Sequence, residues 1–292
     1  MNAYQYGTGI GSGAQAYCGN ITITAPATGT ASGTAGSTWD IGPGTKGSCG
    51  AISVASGTIV GRFKGRSLDT ATSEAVGMLI GADGWIYPNA SDAAAAGTTP
   101  VALICHLGDA GSADAGSNSY RGLAIALQDA NNGNTTTWCN QTEVLCRSSH
   151  VSWGAAITDM NGIQNTQVLA ENQSHAHNAA VQAISNNGVA APSGTSGWFL
   201  PSAGQWNKLM VGLLGGDGLS ESENSQYTAS SFNAKFTEAG LTGSGLHTGS
   251  SKDYYWWSTE ANKLYTWSFY YRGKMVLQNK TDNRYVRAIL AF

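Results

Sequence analysis

Charge is scarce in this sequence. Lys, Arg, Asp and Glu make up 11% of the 292 residues, against about 25% in an average globular protein. With 15 basic and 18 acidic residues the formal net charge is -3, so there is no basic excess to neutralise phosphates or to adsorb to an anionic bilayer. Nucleic acid is therefore not an expected partner. No apolar run approaches the roughly 18 residues of a spanning helix, so direct membrane insertion is not expected either. The start Met1-Asn2-Ala3-Tyr4 has neither the basic nor the apolar part of a secretory leader. Cysteine is sparse too: Cys18, Cys49, Cys105, Cys139 and Cys146 form an odd set with no CxxC and no zinc-like spacing. No metal and no cofactor is expected. Cys18 and Cys49 bracket one Gly/Thr/Ser-rich stretch, and Cys139 and Cys146 share a polar loop. We expect two local disulfides from these four, a buried inert Cys105, and an oxidising, extracellular compartment.

What is abundant is glycine, at 39 residues, together with Ser, Thr, Asn and Ala, a composition of short strands and long polar loops. Residues 1–75 alternate pieces such as Ile21-Thr22-Ile23-Thr24 and Ala51-Ile52-Ser53-Val54 with Gly/Ser/Thr turns, and read as a small β-rich module. No internal repeat stands out. Further on, Gly77-Met78-Leu79-Ile80 and Trp85-Ile86-Tyr87 flank Gly81-Ala82-Asp83-Gly84 as a hairpin would, and Pro100 to Leu107 reads as a buried strand. Leu123, Ala124, Leu127 and Ala130 recur at helical spacing, predicting a helix over 120–130, and Ala176 to Ile184 predicts another ahead of Asn186-Asn187-Gly188. The best-specified helix starts after Pro201: Ser202 with Gln205 three residues on is a capping box, and Trp206, Leu209, Met210 and Leu213 form one apolar face. From Tyr254 the chain returns to strands, at 254–260, 265–271, 274–278 and 285–292. Helices enclosed by strand groups give an α+β architecture.

Several stretches follow in a characteristic order: Gly197-Trp198-Phe199-Leu200-Pro201-Ser202-Ala203-Gly204-Gln205-Trp206, then Tyr255-Trp256-Trp257-Ser258-Thr259-Glu260, Trp267 with Gly273, and Tyr285-Val286-Arg287-Ala288-Ile289-Leu290-Ala291-Phe292. In this succession the chain resembles C-type-lectin-fold domains of bacterial surface proteins and their phages, among them the variable proteins diversified by diversity-generating retroelements. The resemblance covers roughly residues 76–292, leaves residues 1–75 outside, and departs at Trp257, where a small residue is usual. It implies a C-type-lectin-like ligand-binding domain over 76–292. The β-rich module of 1–75 would attach that domain to a pilus, a bacterial cell surface or a phage tail. By the same resemblance Trp256, Ser258, Thr259, Glu260, Trp267, Gly273, Val286, Arg287 and Phe292 belong to the framework. Tyr254, Tyr255, Asn262, Lys263, Tyr265, Ser268, Tyr270, Arg272, Lys274, Gln278 and Asn279 would face the ligand.

The residues themselves favour recognition over catalysis. Eleven of the 27 aromatic residues fall in the last 39 positions, where an even spread would place about four. Tyr gives a large amphipathic contact at the cost of two torsions, and interspersed Ser, Asn and Gly adapt their hydrogen bonds. In strand 265–271 side chains alternate, so Trp267 and Phe269 share one side and Tyr270 lies on the other; the resemblance implies that Trp267 and Phe269 point inward and leaves Tyr270 for solvent or ligand. A protein or glycan receptor on a cell surface is the expected partner, and a homo-oligomer or a larger surface or tail assembly is compatible with the sequence. The alternative is an assembly subunit whose aromatic face docks another subunit. No enzyme activity is expected. No cysteine follows Cys146, which removes the formylglycine-generating chemistry known on this fold, and there is no GxSxG. His175 and His177 sit at the start of a helix and read as solvated or capping, and Asp217, Glu221 and Glu223 as a solvated turn.

Overall fold

The computed structural model describes residues 10, 11, 16–23, 41, 42, 48–50, 52–54, 67–111, 120–142, 145, 149–172 and 174–292. In the N-terminal part, short strands pair in parallel: β1 (Ile10–Gly11) with β4 (Ile41–Gly42), β2 (Tyr17–Cys18) with β5 (Ser48–Cys49), and β3 (Ile21–Ile23) with β6 (Ile52–Val54). Ile10 faces Ile41, Tyr17 faces Ser48 and Ile21 faces Ile52, a constant separation of 31 residues. A repeat is present after all. It escapes inspection because the matched positions are scattered and many of them are glycine. Cys18 and Cys49 face each other in register, both as thiols. Cys139 is a buried thiol whose Sγ lies 3.9 Å from Asn140 Oδ1, and Cys146, its expected partner, lies outside the described residues.

The rest is a mixed α+β assembly. Leu79–Gly81 (β7) and Ile86–Tyr87 (β8) make the expected hairpin, followed by helix α1 (Ala90–Ala95), strand β9 (Pro100–Leu107) and strand β10 (Gly122–Ala126). β10 corrects the helix expected over 120–130. Gly-Leu-Ala-Ile-Ala is a five-residue apolar run buried at every position, and such a run mimics helical spacing while serving as a central strand. After the short strand β11 (Thr136–Thr137) come helices α2 (Trp153–Ala156), α3 (Gly162–Glu171), α4 (Asn178–Ser185), α5 (Ala203–Leu214) and α6 (Ala229–Glu238). α4 stops at Asn186 in the left-handed region, φ +38°. α5 begins with the full capping box of Ser202 and Gln205, and buries Trp206, Leu209 and Met210, each worth about 1.5–3 kcal/mol of apolar transfer.

The last quarter supplies β12 (Tyr254–Glu260), β13 (Tyr265–Tyr270), β14 (Lys274–Asn279), β15 (Asn283–Arg284) and β16 (Ile289–Ala291). β16 returns to pair antiparallel with β10, completing a five-stranded sheet in the order β16-β10-β9-β7-β8, while β12, β13 and β14 form a separate antiparallel sheet. This second sheet is a partition. Tyr255, Trp257, Trp267, Phe269 and Met275 belong to a core with α5 and α6, whereas Trp256 belongs to another core with Val286, Leu290 and Trp138. Trp257, the unusual large residue, packs against Trp206 with centroids 6.2 Å apart. The second core reaches back to Leu68, Ala71 and Ala75. Among the described residues no helix is long and apolar enough to cross a membrane.

Candidate functional site

The framework positions hold the domain from inside. Arg287 is 1% exposed. Its Nε lies 2.5 Å from Asp129 Oδ1, and its other nitrogens donate to the carbonyls of Ala126, Ser244 and Gly245. Glu260 and Lys280 are fully buried and paired at 2.6 Å. Thr259 Oγ1 donates to Asp159 Oδ2 at 2.7 Å and accepts the Ala203 N–H at the start of α5, and Asn165 Nδ2 donates to both Asp159 Oδ2 and Ser258 Oγ. The indoles of Trp256 and Trp267 donate to the carbonyls of Thr136 and His150. Gly273 turns β13 into β14 at φ +81°, and a side chain there would strike the Asn224 carbonyl.

The expected ligand positions divide. Three are inside. Tyr255 is 0% exposed. It pairs with Phe269 across β12 and β13, so it lies on the core side of the sheet, and its hydroxyl donates to Asp129 Oδ2 at 3.0 Å. Ser268 is also 0% exposed, lies in register between Trp256 and Val276, and donates to the Val276 carbonyl. Tyr270, at 8%, is nearly covered by its neighbours. Ser268 opposes Trp256, whose side of β12 carries the second core, so alternation leaves no wet face there; Tyr255 shares the inward side of Phe269, and only the resemblance places it at the ligand. The remaining positions reach the surface. Asn262, Lys263 and Tyr265 are exposed at the β12–β13 turn, Arg272 is exposed at the β13–β14 turn, and Tyr254, Lys274, Gln278 and Asn279 are half-buried.

One end of the sheet is open, and there the rings and cations form a ladder. Tyr254 and Tyr270 oppose each other in register and stack with centroids 4.7 Å apart and planes at 25°. The Arg284 guanidinium lies over Tyr254 at 4.9 Å, and Lys274 Nζ lies over Tyr270 at 5.4 Å, so a cation caps each end. Arg284 also donates through Nε and Nη2 to Gln278 Oε1 and pairs with Asp282 at 3.0 Å. Its side chain thus touches both β14, through Gln278, and β12, through Tyr254. Glu223 bridges Arg272 at 3.7 Å and Lys274 at 3.6 Å, so it is part of this rim and not simply a solvated turn.

Beside the ladder lies a polar cleft of about 680 Å³, lined by Ser250, Lys252, Asp253, Asp282, Arg284 and Tyr285 among others. That volume lies within the usual range for small-ligand sites. Tyr285 forms one wall and stacks flat on His247, with centroids 3.9 Å apart and planes at 8°. The His247 Nε2 meets Asp129 Oδ2 at 3.2 Å. The hydrogen bond to Asp129 raises the His247 pKa above 6.5 against partial burial. Burial alone would raise the Asp129 carboxyl, but the Arg287 charge and the hydrogen bonds from His247 and Arg287 outweigh it and hold it below the usual value. Burial raises the Tyr254, Tyr270 and Tyr285 hydroxyls, which therefore stay neutral donors at physiological pH. Arg284, Tyr285, His247 and Glu223 were missed as site residues. The Tyr-Val-Arg motif draws attention to the framework Arg287, and nothing local marks His247 or Glu223, which reach the site through long-range contacts.

His177 is 2% exposed and packs edge-on to Trp138 at 5.7 Å, so it is not solvated; it does stand at the N-cap position of α4, without a side-chain cap bond. Among the described residues no group of three or more His, Cys, Asp or Glu could hold a metal.

Comparison with known proteins gives little. Neither the family models nor the curated proteins contain a match. Among solved structures the chain is similar to a fimbrial protein from Bacteroides ovatus ATCC 8483, with a TM-score of 0.48 and 17% sequence identity, over 84% of this chain and 52% of that one. The chain spans about half the length of that protein, and likeness at this level assigns neither fold nor role.

Proposed function

We propose that residues 76–292 form a C-type-lectin-like domain that recognises an extracellular ligand noncovalently, as an adhesin or receptor-binding protein does. The ladder of Arg284, Tyr254, Tyr270 and Lys274 beside the Tyr285 cleft carries this reading. Tyrosine rings with flanking cations, and amide and carboxylate groups held by those cations at the surface, suit a glycan or a polar protein epitope. The cations also bind one another's neighbours through Gln278, Asp282 and Glu223, so the face is held in shape before a ligand arrives, which lowers the ordering cost of binding. The return of β16 to β10 and the buried motif residues support the lectin-like reading of the fold.

The test is a glycan and cell-surface protein array probed with the full chain, followed by titration of any hit. Tyr254→Ala and Arg284→Ala should each weaken binding at least tenfold while the melting temperature moves little. Binding unchanged in both variants would exclude the ladder as the contact surface. If the tract is diversified by a retroelement, a near-copy of the codons for residues 254–292 lies near the gene. Its adenine-linked differences should fall on Asn262, Lys263, Tyr265, Arg272, Lys274 and Asn279 and spare Tyr255 and Ser268.

A further inference from the structure

The strand pairs of residues 10–54 share one offset, and the sequence shares it too. Aligning residues 10–23 with 41–54 gives six identities in fourteen positions: Ile10/Ile41, Gly11/Gly42, Gly13/Gly44, Cys18/Cys49, Gly19/Gly50 and Ile21/Ile52. Thr22/Ser53 and Ile23/Val54 are conservative exchanges. In a glycine-rich chain the glycines alone would mean little. Here the backbone repeats as well, with φ +145° at Gly11 and +142° at Gly42, a region that favours glycine. Three strand pairs in direct parallel register, at one sequence period, are the geometry of a solenoid in which each period is a rung stacked on the last. We propose that residues 10–54 hold two rungs of a β-solenoid-like stack, and that the cysteine of the repeat, present as Cys18 and Cys49, is an oxidisable cross-rung site that closes as a disulfide.

The geometry permits the bond. Residues in register on adjacent parallel strands lie about 4.8 Å apart and project to the same face, within the roughly 4.4–6.8 Å Cα separation that a disulfide spans. The Gly50 N–H donates to the Cys18 carbonyl at 3.0 Å and the Ser48 N–H to the Ala16 carbonyl at 2.9 Å, which fixes the register on both sides of the pair. Cys18 is half-buried and Cys49 buried, so attack begins at Cys18. Its thiolate displaces one thiol from a small disulfide oxidant such as oxidised glutathione, giving a mixed disulfide. The Cys49 thiolate then attacks the Cys18 sulfur, the protein S–S bond forms, and the second glutathione leaves as a thiol. Two protein thiols have lost two electrons and two protons, and the oxidant has gained them. Two rungs are fewer than the three or so that a solenoid needs for stability, so a covalent tie between them has something to add.

Trypsin separates the two cysteines by cutting after Lys46 and Arg62. The full chain, incubated with oxidised glutathione and digested without reduction, should yield the 1–46 and 47–62 peptides joined, lighter by two hydrogens than the free pair. Glutathione left on both cysteines, or pairing of either with another cysteine, overturns the proposal. A second pair tests the register independently of the native thiols. In a Cys18→Ser, Cys49→Ser chain, adding Tyr17→Cys and Ser48→Cys should join the same two peptides, because these positions also stand opposite each other. In a Cys18→Ser chain that keeps Cys49, adding Tyr17→Cys should not. Equal joining of both combinations overturns the in-register stack.

Discussion

Arg284 and Arg287 stand three residues apart, and the molecule uses them in opposite ways. Arg287 is sealed among three carbonyls and Asp129. Arg284 is half-buried at the rim, its charge shared between a ring, an amide and a half-exposed carboxylate. The first arginine has lost its hydration and depends on every partner. The second keeps part of its hydration, and so can exchange its partners for those of a ligand at small cost. Residue type says nothing of this difference; it is set by long-range partners, since Asp129, Ala126, Ser244 and Gly245 enclose Arg287 from distant parts of the chain.

The comparison can be broken most severely at its buried side. Arg287→Ala leaves Asp129 charged and buried, and should cost about 3–5 kcal/mol in denaturant unfolding, against less than about 1 kcal/mol for Arg284→Ala. The same logic holds for Glu260 and Lys280. Lys280→Met alone should cost about 3–5 kcal/mol, and adding Glu260→Leu should return most of it, since a paired replacement leaves no orphan charge. A smaller step separates the adjacent tyrosines. Tyr255→Phe deprives Asp129 of a donor and the His247 N–H of an acceptor and should cost about 1–3 kcal/mol, while Tyr254→Phe should stay within about 0.5 kcal/mol. The smallest effect is a pH dependence. Because the folded state raises the His247 pKa, its contribution is complete below the unfolded value of about 6.5 and fades as pH rises through the higher folded value. Burial lowers the His106 and His177 pKa values and works in the opposite sense, so the His247 part is read as the difference in melting temperature between the parent and His247→Gln, which should shrink between about pH 6 and pH 8.

Much of the fold is written locally. Ser202 and Gln205 announce α5 because a capping box is a contact between residues three apart, and Gly81-Ala82-Asp83-Gly84 announces its hairpin for a similar reason. β10 is illegible for the opposite reason: Leu123, Ala124 and Ile125 are buried by β9 and β16, and β16 lies more than 160 residues further on. The candidate site is half legible. The aromatic surplus after Tyr254 marks the region, but Ser268 is misplaced because a second core that no local pattern discloses lies on the Trp256 side, and Tyr255 because its place beside Phe269 in the first core depends on the pairing of β12 with β13. The repeat of residues 10–54 is legible only once Cys18 is seen opposite Cys49.

β12 carries Trp256 and Trp257 side by side, one facing each core. Neither core can lose its wall without stripping the other, so the domain has no natural line along which to come apart. Amides on β9, in the five-stranded sheet, and on β13, in the partition, should then exchange with solvent through the same rare opening, and a partly melted form exposing the ladder on its own would have no structure to rest on.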